Sequence, residues 1–187
     1  MVSEIQISVL QKSVAYEADE LAYKRLFYHF YPLLKRFADG MLHNTEVAEE
    51  LAGDVLLKIW TMGDKLATIA DLQLYLFKSV KNAALNYLKS NVHQKSLVTG
   101  QLENDEQIAP REEDISNYSE LQQIMYEAVK DLPEKCRLVF RLVKEYGLSY
   151  KQIATLMNIS QNTIETHMRL ALKKLKAAFD QYQQNQK

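Results

Sequence analysis

The chain has 187 residues, of which 47% are hydrophobic and 25% are charged, the profile of a folded globular protein rather than a disordered or fibrous one. Glycine (5) and proline (3) are scarce, which disfavours an antiparallel β protein and predicts an all-α fold. The net charge of −1 hides an asymmetry, because residues 134–187 hold ten Lys and Arg against four Asp and Glu. A basic end on an acidic body predicts a polyanionic partner for the C-terminal part.

Cysteine usage and hydropathy place the protein in the cytoplasm. Cys136 is the sole cysteine, so an internal disulfide and a Cys-based zinc site are excluded, and we predict a buried small hydrophobic residue there. The N-terminus has neither the basic segment nor the apolar run of a signal peptide. No stretch approaches the length of about 18 apolar residues that a membrane helix needs, so no membrane insertion is expected.

The first half of the chain reads as helical. Residues 1–18 are interpreted as an N-terminal extension, and a first domain is predicted over residues 19–91. Apolar and aromatic residues crowd the stretch 21–37 around Pro32, and a proline there predicts two consecutive helical pieces. Asn44 or Thr45 is the expected N-cap of the next helix.

That next helix is apolar around more of its circumference than one core face requires. Its core stripe falls at spacings of four, at Val47, Leu51, Val55 and Ile59. Leu56, Leu57 and Trp60 extend beyond the stripe. The excess fits either a second contact surface or a helix sandwiched within its own bundle, and periodicity alone does not separate the two.

A third helix is predicted from about Ala70 to Asn91, with polar side chains outside its apolar face. These are Lys78, Lys81, Asn82 and Asn86. Lysine interleaved with asparagine and aromatic residues suits a groove that holds a nucleic-acid backbone and unpaired bases. A solvated helix face is the alternative.

Between the halves the helical periodicity lapses. Residues 92–117 are predicted to be a polar, acidic linker that cannot bury enough surface to fold. Helical patterning resumes for a second domain over residues 118–182, with breaks near Pro133, Gly147 and Asn158, followed by a polar tail at 183–187.

The stretch 148–170 has the spacing of a helix-turn-helix. Ser149 is the expected cap of the first helix, Asn158 occupies a turn that wants positive φ, and Ser160 caps the second helix. Five apolar residues are predicted to face inward: Ile153, Ala154, Met157, Ile159 and Ile164. Side chains suited to major-groove readout are expected to point outward at Gln161, Asn162, Thr163, Glu165, Thr166 and Arg169. The cations expected to reach phosphates are Arg169, Lys173, Lys174 and Lys176.

Both halves resemble one family. The run from Asp131 through the helix-turn-helix to Leu175 is similar to region four of sigma factors, which reads the minus-thirty-five promoter element. The segments Leu26–Ala38, Ala48–Trp60 and Tyr75–Lys89 resemble region two of the same family. A separate third domain and an N-terminal regulatory region are not recognisable, which is typical of the extracytoplasmic-function (ECF) group of the sigma-70 family.

The resemblance implies partners and roles for the candidate residues. It implies that core RNA polymerase is contacted by Asp54, Leu57, Lys58 and Trp60. It implies that the melted minus-ten element of promoter DNA is held by Lys78, Lys81, Asn82 and Asn86. The minus-thirty-five element would be bound by the helix-turn-helix set that starts at Ser160, and an anti-sigma factor is a further expected partner.

Two other classes of protein compete with this interpretation. A LuxR or response-regulator type transcription factor fits the recognition-helix residues, but it calls for an upstream receiver or sensor domain with strands that the first 89 residues do not indicate. For an enzyme, the histidines are scattered and no phosphate loop or nucleophile motif stands out; they are His29, His43, His93 and His167. We therefore expect no catalysis, no small-molecule substrate, no cofactor and no metal.

Overall fold

The structure, a computed structural model, describes residues 4–99 and 119–185. Within those ranges every regular element is a helix and no strand occurs, which confirms the predicted all-α class. The chain divides into two compact units, Met1–Ala109 and Pro110–Lys187. The boundary lies inside the stretch predicted as a linker, most of which (100–117) is outside the described residues.

Residues 4–99, the described part of the first unit, form four α-helices and one short 3-10 helix. They are α1 (Glu4–Glu17), α2 (Glu20–Leu42), α3 (Thr45–Thr61), the 3-10 helix (Gly63–Thr68) and α4 (Leu72–Thr99). Asp19 caps α2 by accepting hydrogen bonds from the amides of Leu21 and Ala22. Asn44, not Thr45, caps α3 by accepting from the Val47 amide, so the first of the two predicted capping residues is the correct one.

The prediction of a helix break at Pro32 is wrong. α2 runs continuously from Glu20 to Leu42 with Pro32 inside it. A proline in a helix interior costs about 3 kcal/mol, but Phe30 and Leu34 on either side are completely buried, and each such side chain contributes about 1.5–3 kcal/mol. The ring of Pro32 lies on the exposed side of α2. Burial on the opposite side therefore keeps the two halves of α2 in one helix.

The N-terminal extension is a structural part of the first unit. α1 packs against the 3-10 helix and α2, and its side chains Ile7, Val14 and Ala15 are buried. The outer side of α1 is also apolar, with Ile5 and Val9 exposed. Hydrophobic residues on both sides of one helix give no amphipathic signal, which is why periodicity did not reveal α1.

The core of the first unit lies between α2, α3 and α4. Its completely buried side chains include Leu26, Phe30, Leu34, Leu56, Ile59, Leu76 and Phe77. An ion pair between Lys35 and Glu49 joins α2 to α3 at the surface. α4 continues to Thr99, eight residues beyond its predicted end at Asn91.

The described residues of the second unit, 119–185, form four helices. They are α5 (Glu120–Lys130), α6 (Glu134–Lys144), α7 (Tyr150–Met157) and α8 (Gln161–Asn185). Its breaks fall where the sequence placed them, around Pro133, Gly147 and Asn158. Cys136 is completely buried in this unit, in a cluster with Leu132 and Ala171, as expected for a small hydrophobic residue.

Candidate nucleic-acid interface

The helix-turn-helix begins with a reciprocal cap. The Ser149 hydroxyl oxygen accepts a hydrogen bond from the Gln152 amide at 3.3 Å, and the Gln152 side-chain oxygen accepts from the Ser149 amide at 2.7 Å. This capping box satisfies two amides that would otherwise lack a partner at the start of α7. The sequence identified Ser149 as a cap but not Gln152, which is a buried polar side chain.

The turn between α7 and α8 is three residues long. Asn158 has φ 55° and ψ 47°, the left-handed conformation expected from its position. Ser160 caps α8, with its hydroxyl oxygen accepting from the Thr163 amide at 3.1 Å. Ile153 and Ile164 are completely buried, whereas Ala154, Met157 and Ile159 are only half-buried, so two of the five residues predicted to face inward lie in the core.

The first turns of α8 present a polar surface, called here the recognition face. It consists of Gln161, Asn162, Thr163, Glu165, Thr166 and Arg169, all of them exposed. The Thr166 hydroxyl donates to the Asn162 carbonyl at 2.9 Å, and the hydroxyl of Thr163 pairs with that of Ser160. Hydrogen bonds within the described residues do not engage the side chains of Gln161, Asn162 and Arg169. Amide and guanidinium groups are the donors and acceptors that bind base edges in the major groove.

The lysines of α8 are not equivalent. Lys173, Lys174 and Lys176 are all exposed, but the Lys174 ammonium donates to the carbonyl of Asp131 at 2.9 Å. Arg137 donates to the neighbouring Lys130 carbonyl at 2.8 Å. Both cations therefore lie at the C-terminus of α5, where carbonyl groups lack helical partners and positive charge is favourable.

One side of α4 carries the predicted polar residues, and we call it the α4 face. Lys78, Asn82 and Asn86 are exposed and four residues apart, which puts them in one row along the helix. Lys81, beside this row, is half-buried. Behind them Leu76, Phe77, Val80 and Ala84 are buried.

The surplus apolar surface of α3 is smaller than predicted. Asp54, Leu57 and Lys58 are exposed, Leu57 to 55%, and Trp60 is half-buried; these four residues form the α3 face. Leu56 is completely buried, so at this position the second alternative holds, that of a helix packed within its own bundle. α2 and α4 both pack on α3, and this wider contact covers the Leu56 position.

A row of aromatic rings on α2 adjoins the α3 face. The ring of Tyr23 lies 4.9 Å from that of Trp60 and 6.0 Å from that of Phe27, measured between centroids. Phe27 in turn stacks on Tyr31 at 5.1 Å. Partial burial raises the pKa of the Tyr23 hydroxyl. The sequence reading noted these aromatics only as part of an apolar stretch and did not connect them to Trp60.

Metal-ligand clusters and membrane-spanning helices are both absent from the described residues. Groups of three or more His, Cys, Asp or Glu side chains placed to hold a metal ion do not occur in the part of the chain that the structure describes. None of the helices in residues 4–99 and 119–185 is both long enough and apolar enough to span a membrane.

The two units match two regions of one family. Residues 26–93 match the model of sigma-70 region 2, and residues 122–175 match that of sigma-70, region 4. The matches cover α2 to α4 in the first unit and the whole helix-turn-helix in the second. The chain belongs to the sigma-70 family of RNA polymerase sigma factors, and within it to the ECF group.

Individual relatives agree with this assignment. The chain is 24% identical over 170 residues to the ECF RNA polymerase sigma factor RpoE of Cereibacter sphaeroides, an alignment that covers 89% of this chain and 91% of the relative. Its fold is similar to that of the sigma factor RpoE solved in complex with the anti-sigma factor NepR from Bartonella quintana, with a TM-score of 0.57, 21% identity, and coverage of 84% of this chain and 96% of the other. It is also similar to CnrH solved in complex with the cytosolic domain of CnrY, with a TM-score of 0.56, 16% identity, and coverage of 94% and 97%.

Proposed function

We propose that this sigma factor directs core RNA polymerase to promoters by dividing the work among three surfaces. The recognition face reads the minus-thirty-five element, the α4 face holds the melted minus-ten strand, and the α3 face docks on core polymerase. The observation that carries the proposal is the occurrence of an exposed polar recognition face and an exposed Lys/Asn row in two compact units of one chain.

Reading of the minus-thirty-five element is supported by the second unit. The turn at Asn158 and the cap at Ser160 set the start of α8, and a recognition helix presents its N-terminal residues to base edges. Gln161, Asn162 and Arg169 supply the hydrogen-bonding groups there. Exposed cations further along α8, such as Lys173, would contact phosphates and add affinity without sequence preference.

Promoter melting is supported by the row on α4. Unpairing and unstacking cost a few kcal/mol for each flipped base, and a protein offsets this by binding the unpaired strand better than the duplex. Lysines attract the backbone of that strand, while asparagine amides hydrogen-bond base edges that duplex DNA hides. Melting by tighter binding of the unpaired strand than of the duplex needs no catalytic group, so the protein acts as a non-enzymatic subunit.

Docking on core polymerase is supported by the apolar part of the α3 face. Leu57 is exposed and Trp60 is held at its edge by Tyr23. Large apolar and aromatic side chains at a surface are enriched among the residues that dominate binding energy. A partner that covers Leu57 and Trp60 would remove from water the apolar surface that the first unit does not bury itself.

Regulation by an anti-sigma factor is part of the proposal. One solved structure with a similar fold is the sigma factor RpoE in complex with the anti-sigma factor NepR, and another is CnrH in complex with the cytosolic domain of CnrY. An anti-sigma factor that covers the α3 face or the recognition face would exclude polymerase or DNA. We place the protein in the cytoplasm, where it would meet polymerase and DNA.

The decisive experiment is transcription in vitro by sigma-free bacterial core polymerase on a library of genomic fragments, with and without this protein. Discrete new transcripts are expected only with the protein. Trp60→Ala should reduce them through weaker core binding, and Arg169→Ala through weaker promoter binding.

Matched controls come from exposed residues outside the three surfaces. Tyr16→Ala removes an exposed aromatic ring from α1, and Lys135→Ala removes an exposed cation from α6; both should leave the transcripts unchanged. Duplex DNA binding with no core binding and no new start sites, tested on several core enzymes, would instead indicate a helix-turn-helix regulator.

A further inference from the structure

A buried amide on α1 joins two distant parts of the first unit. Gln11 is only 6% exposed. Among the described residues, Gln11 and Gln152 are the only buried polar side chains. Its side-chain nitrogen donates to the carbonyl of Leu66 at 2.7 Å and to the carbonyl of Ile69 at 2.8 Å. Both N–H groups of the amide are thereby used. α1 is tied to the 3-10 helix and to the residue that follows it.

Those two carbonyls lie where the backbone leaves the 3-10 helix and approaches α4. The Leu66 carbonyl also accepts from the Ile69 amide at 3.2 Å, and Ile69 is extended. Two residues later Asp71 caps α4, accepting from the Leu74 amide at 2.9 Å. Gln11 therefore fixes the backbone immediately before α4 begins.

The connection held in this way joins two of the candidate surfaces. The α3 face ends at Trp60, and the α4 face begins at Lys78. Between α3 and α4 the chain has residues 62–71, whose Gly63 is in the left-handed conformation with φ 55°. One further contact crosses the connection, from the Tyr75 hydroxyl to the Met62 sulfur at 3.8 Å. The buried Gln11 amide anchors this connection through its two hydrogen bonds.

α1 stands apart from the family core in sequence. The match to sigma-70 region 2 begins at residue 26, after α1 has ended at Glu17. The anchor is thus supplied by a helix outside the matched residues, and it acts on the connection inside them.

We propose that Gln11 is a positioning residue for promoter opening. By holding the carbonyls of Leu66 and Ile69 it sets the α4 face at a fixed place relative to the α3 face. When α3 is docked on core polymerase, the α4 face then meets the minus-ten strand in register. Binding sites lose function when their supporting contacts let them shift by fractions of an ångström. The inference rests on the proposed function, and it assigns to Gln11 the opening step and not core binding.

The test uses reconstituted holoenzyme with Gln11→Met, because methionine keeps an unbranched chain of similar length and has no donor. The sigma factor is added until core is saturated, so that a change in its affinity or folded fraction does not limit the signal. Opening is measured as permanganate reactivity of thymines in the minus-ten element, on a promoter identified with the wild-type protein. We expect opening to fall about tenfold while core affinity changes less than about twofold.

Transcription from a template that is already unpaired at the minus-ten element distinguishes a positioning role from a merely structural one. Such a template removes the need to open the duplex, so transcription by Gln11→Met should return to near the wild-type level. Gln6→Met is the matched control, an exposed glutamine replaced on the same helix, and it should behave as wild type throughout.

Three results would overturn the positioning role. These are unchanged opening by Gln11→Met at saturation, parallel loss of core affinity and opening, and no recovery on the unpaired template. If circular dichroism shows Gln11→Met unfolded, Gln11→Asn is judged by the same criteria, since its shorter amide cannot reach both carbonyls. A wild-type holoenzyme that opens no promoter is a different failure, that of the proposed function itself.

Discussion

Asn158 shows how far a single residue can be predicted. Its place in the spacing called for positive φ, and the observed φ is 55°. Asparagine tolerates this conformation better than other residues with a β-carbon, and glycine adopts it freely. The capping and turn residues Ser149, Asn158 and Ser160 all follow from such local rules, which need no knowledge of the rest of the fold.

Two substitutions at Asn158 should show how much stability depends on tolerance of positive φ at this position. Asn158→Gly is expected to leave the free energy of unfolding within a few tenths of a kcal/mol of wild type. Asn158→Val should lower it by about 1–2 kcal/mol, because a β-branched residue is strained at positive φ. Urea unfolding followed by circular dichroism measures both. Equal stability of the two variants would contradict the conformational argument.

Cys136 should be chemically inert in the native protein. It is completely buried, its thiol donates to the His167 carbonyl at 3.1 Å, and burial raises the pKa of the thiol. Reaction with a thiol reagent at neutral pH should occur only at the rate of unfolding. Rapid labelling in the native state would show that the site is accessible.

The same pKa shift has a consequence for stability at alkaline pH. With the pKa raised in the folded state, the contribution of the thiol to stability is constant below its unfolded pKa of about 8.5 and is lost as pH rises through the folded pKa. Cys136→Ala should therefore flatten the alkaline part of the stability curve, measured by urea unfolding at several pH values above 8. An unchanged pH dependence would assign the alkaline loss to other groups.

At the scale of helices, the two adjacent lysines of α8 should separate DNA binding from stability. Lys173→Met is expected to weaken binding to promoter duplex about equally for all sequences and to reduce the salt slope by about one, without changing stability. Lys174→Met removes the hydrogen bond to the Asp131 carbonyl and should cost about 0.5–1 kcal/mol, less than a buried charged hydrogen bond because the site is exposed.

Salt-dependent binding measurements and thermal unfolding of both variants provide the check. If the two lysines prove interchangeable in both assays, the cap on α5 has no energetic role. The sequence predicts a phosphate contact for both lysines. It does not reveal the capping role of Lys174, because Asp131 and Lys174 are 43 residues apart.

α2 and α1 show where element-scale prediction fails. The break expected at Pro32 does not occur because Phe30 and Leu34 are both buried in the same core, and that burial offsets the lost backbone hydrogen bond. α1 was missed because its two apolar sides cancel the periodic signal. In both cases packing against other helices overrode the local rule.

For the molecule as a whole, substitutions in the two units should act on separate steps. Leu57→Asp on the α3 face is expected to lower core affinity at least about tenfold, because it places a charge in an apolar contact. Arg169→Ala should leave core affinity unchanged and weaken promoter binding by about 1–3 kcal/mol.

The double variant should show the sum of the two effects within about 0.5 kcal/mol, since the two residues belong to different compact units. Core titration and promoter binding by the holoenzyme measure the two terms. A coupling much larger than this would mean that core binding and promoter reading depend on each other through the protein.

The sequence by itself determined the features that depend on neighbours in the chain. The all-α class, the breaks of the second unit, the caps and the exposed set from Gln161 to Arg169 follow from periodicity, turn chemistry and resemblance. These signals act over a few residues, so they survive without the fold.

Only the tertiary structure decided which side chains meet across long distances. Four features depend on residues that are far apart in the chain. They are the burial of Leu56, the ring contact of Tyr23 with Trp60, the cap by Lys174 and the Gln11 anchor. These features depend on how the helices are oriented in a packed core, and the pattern of residues along the sequence does not specify that orientation.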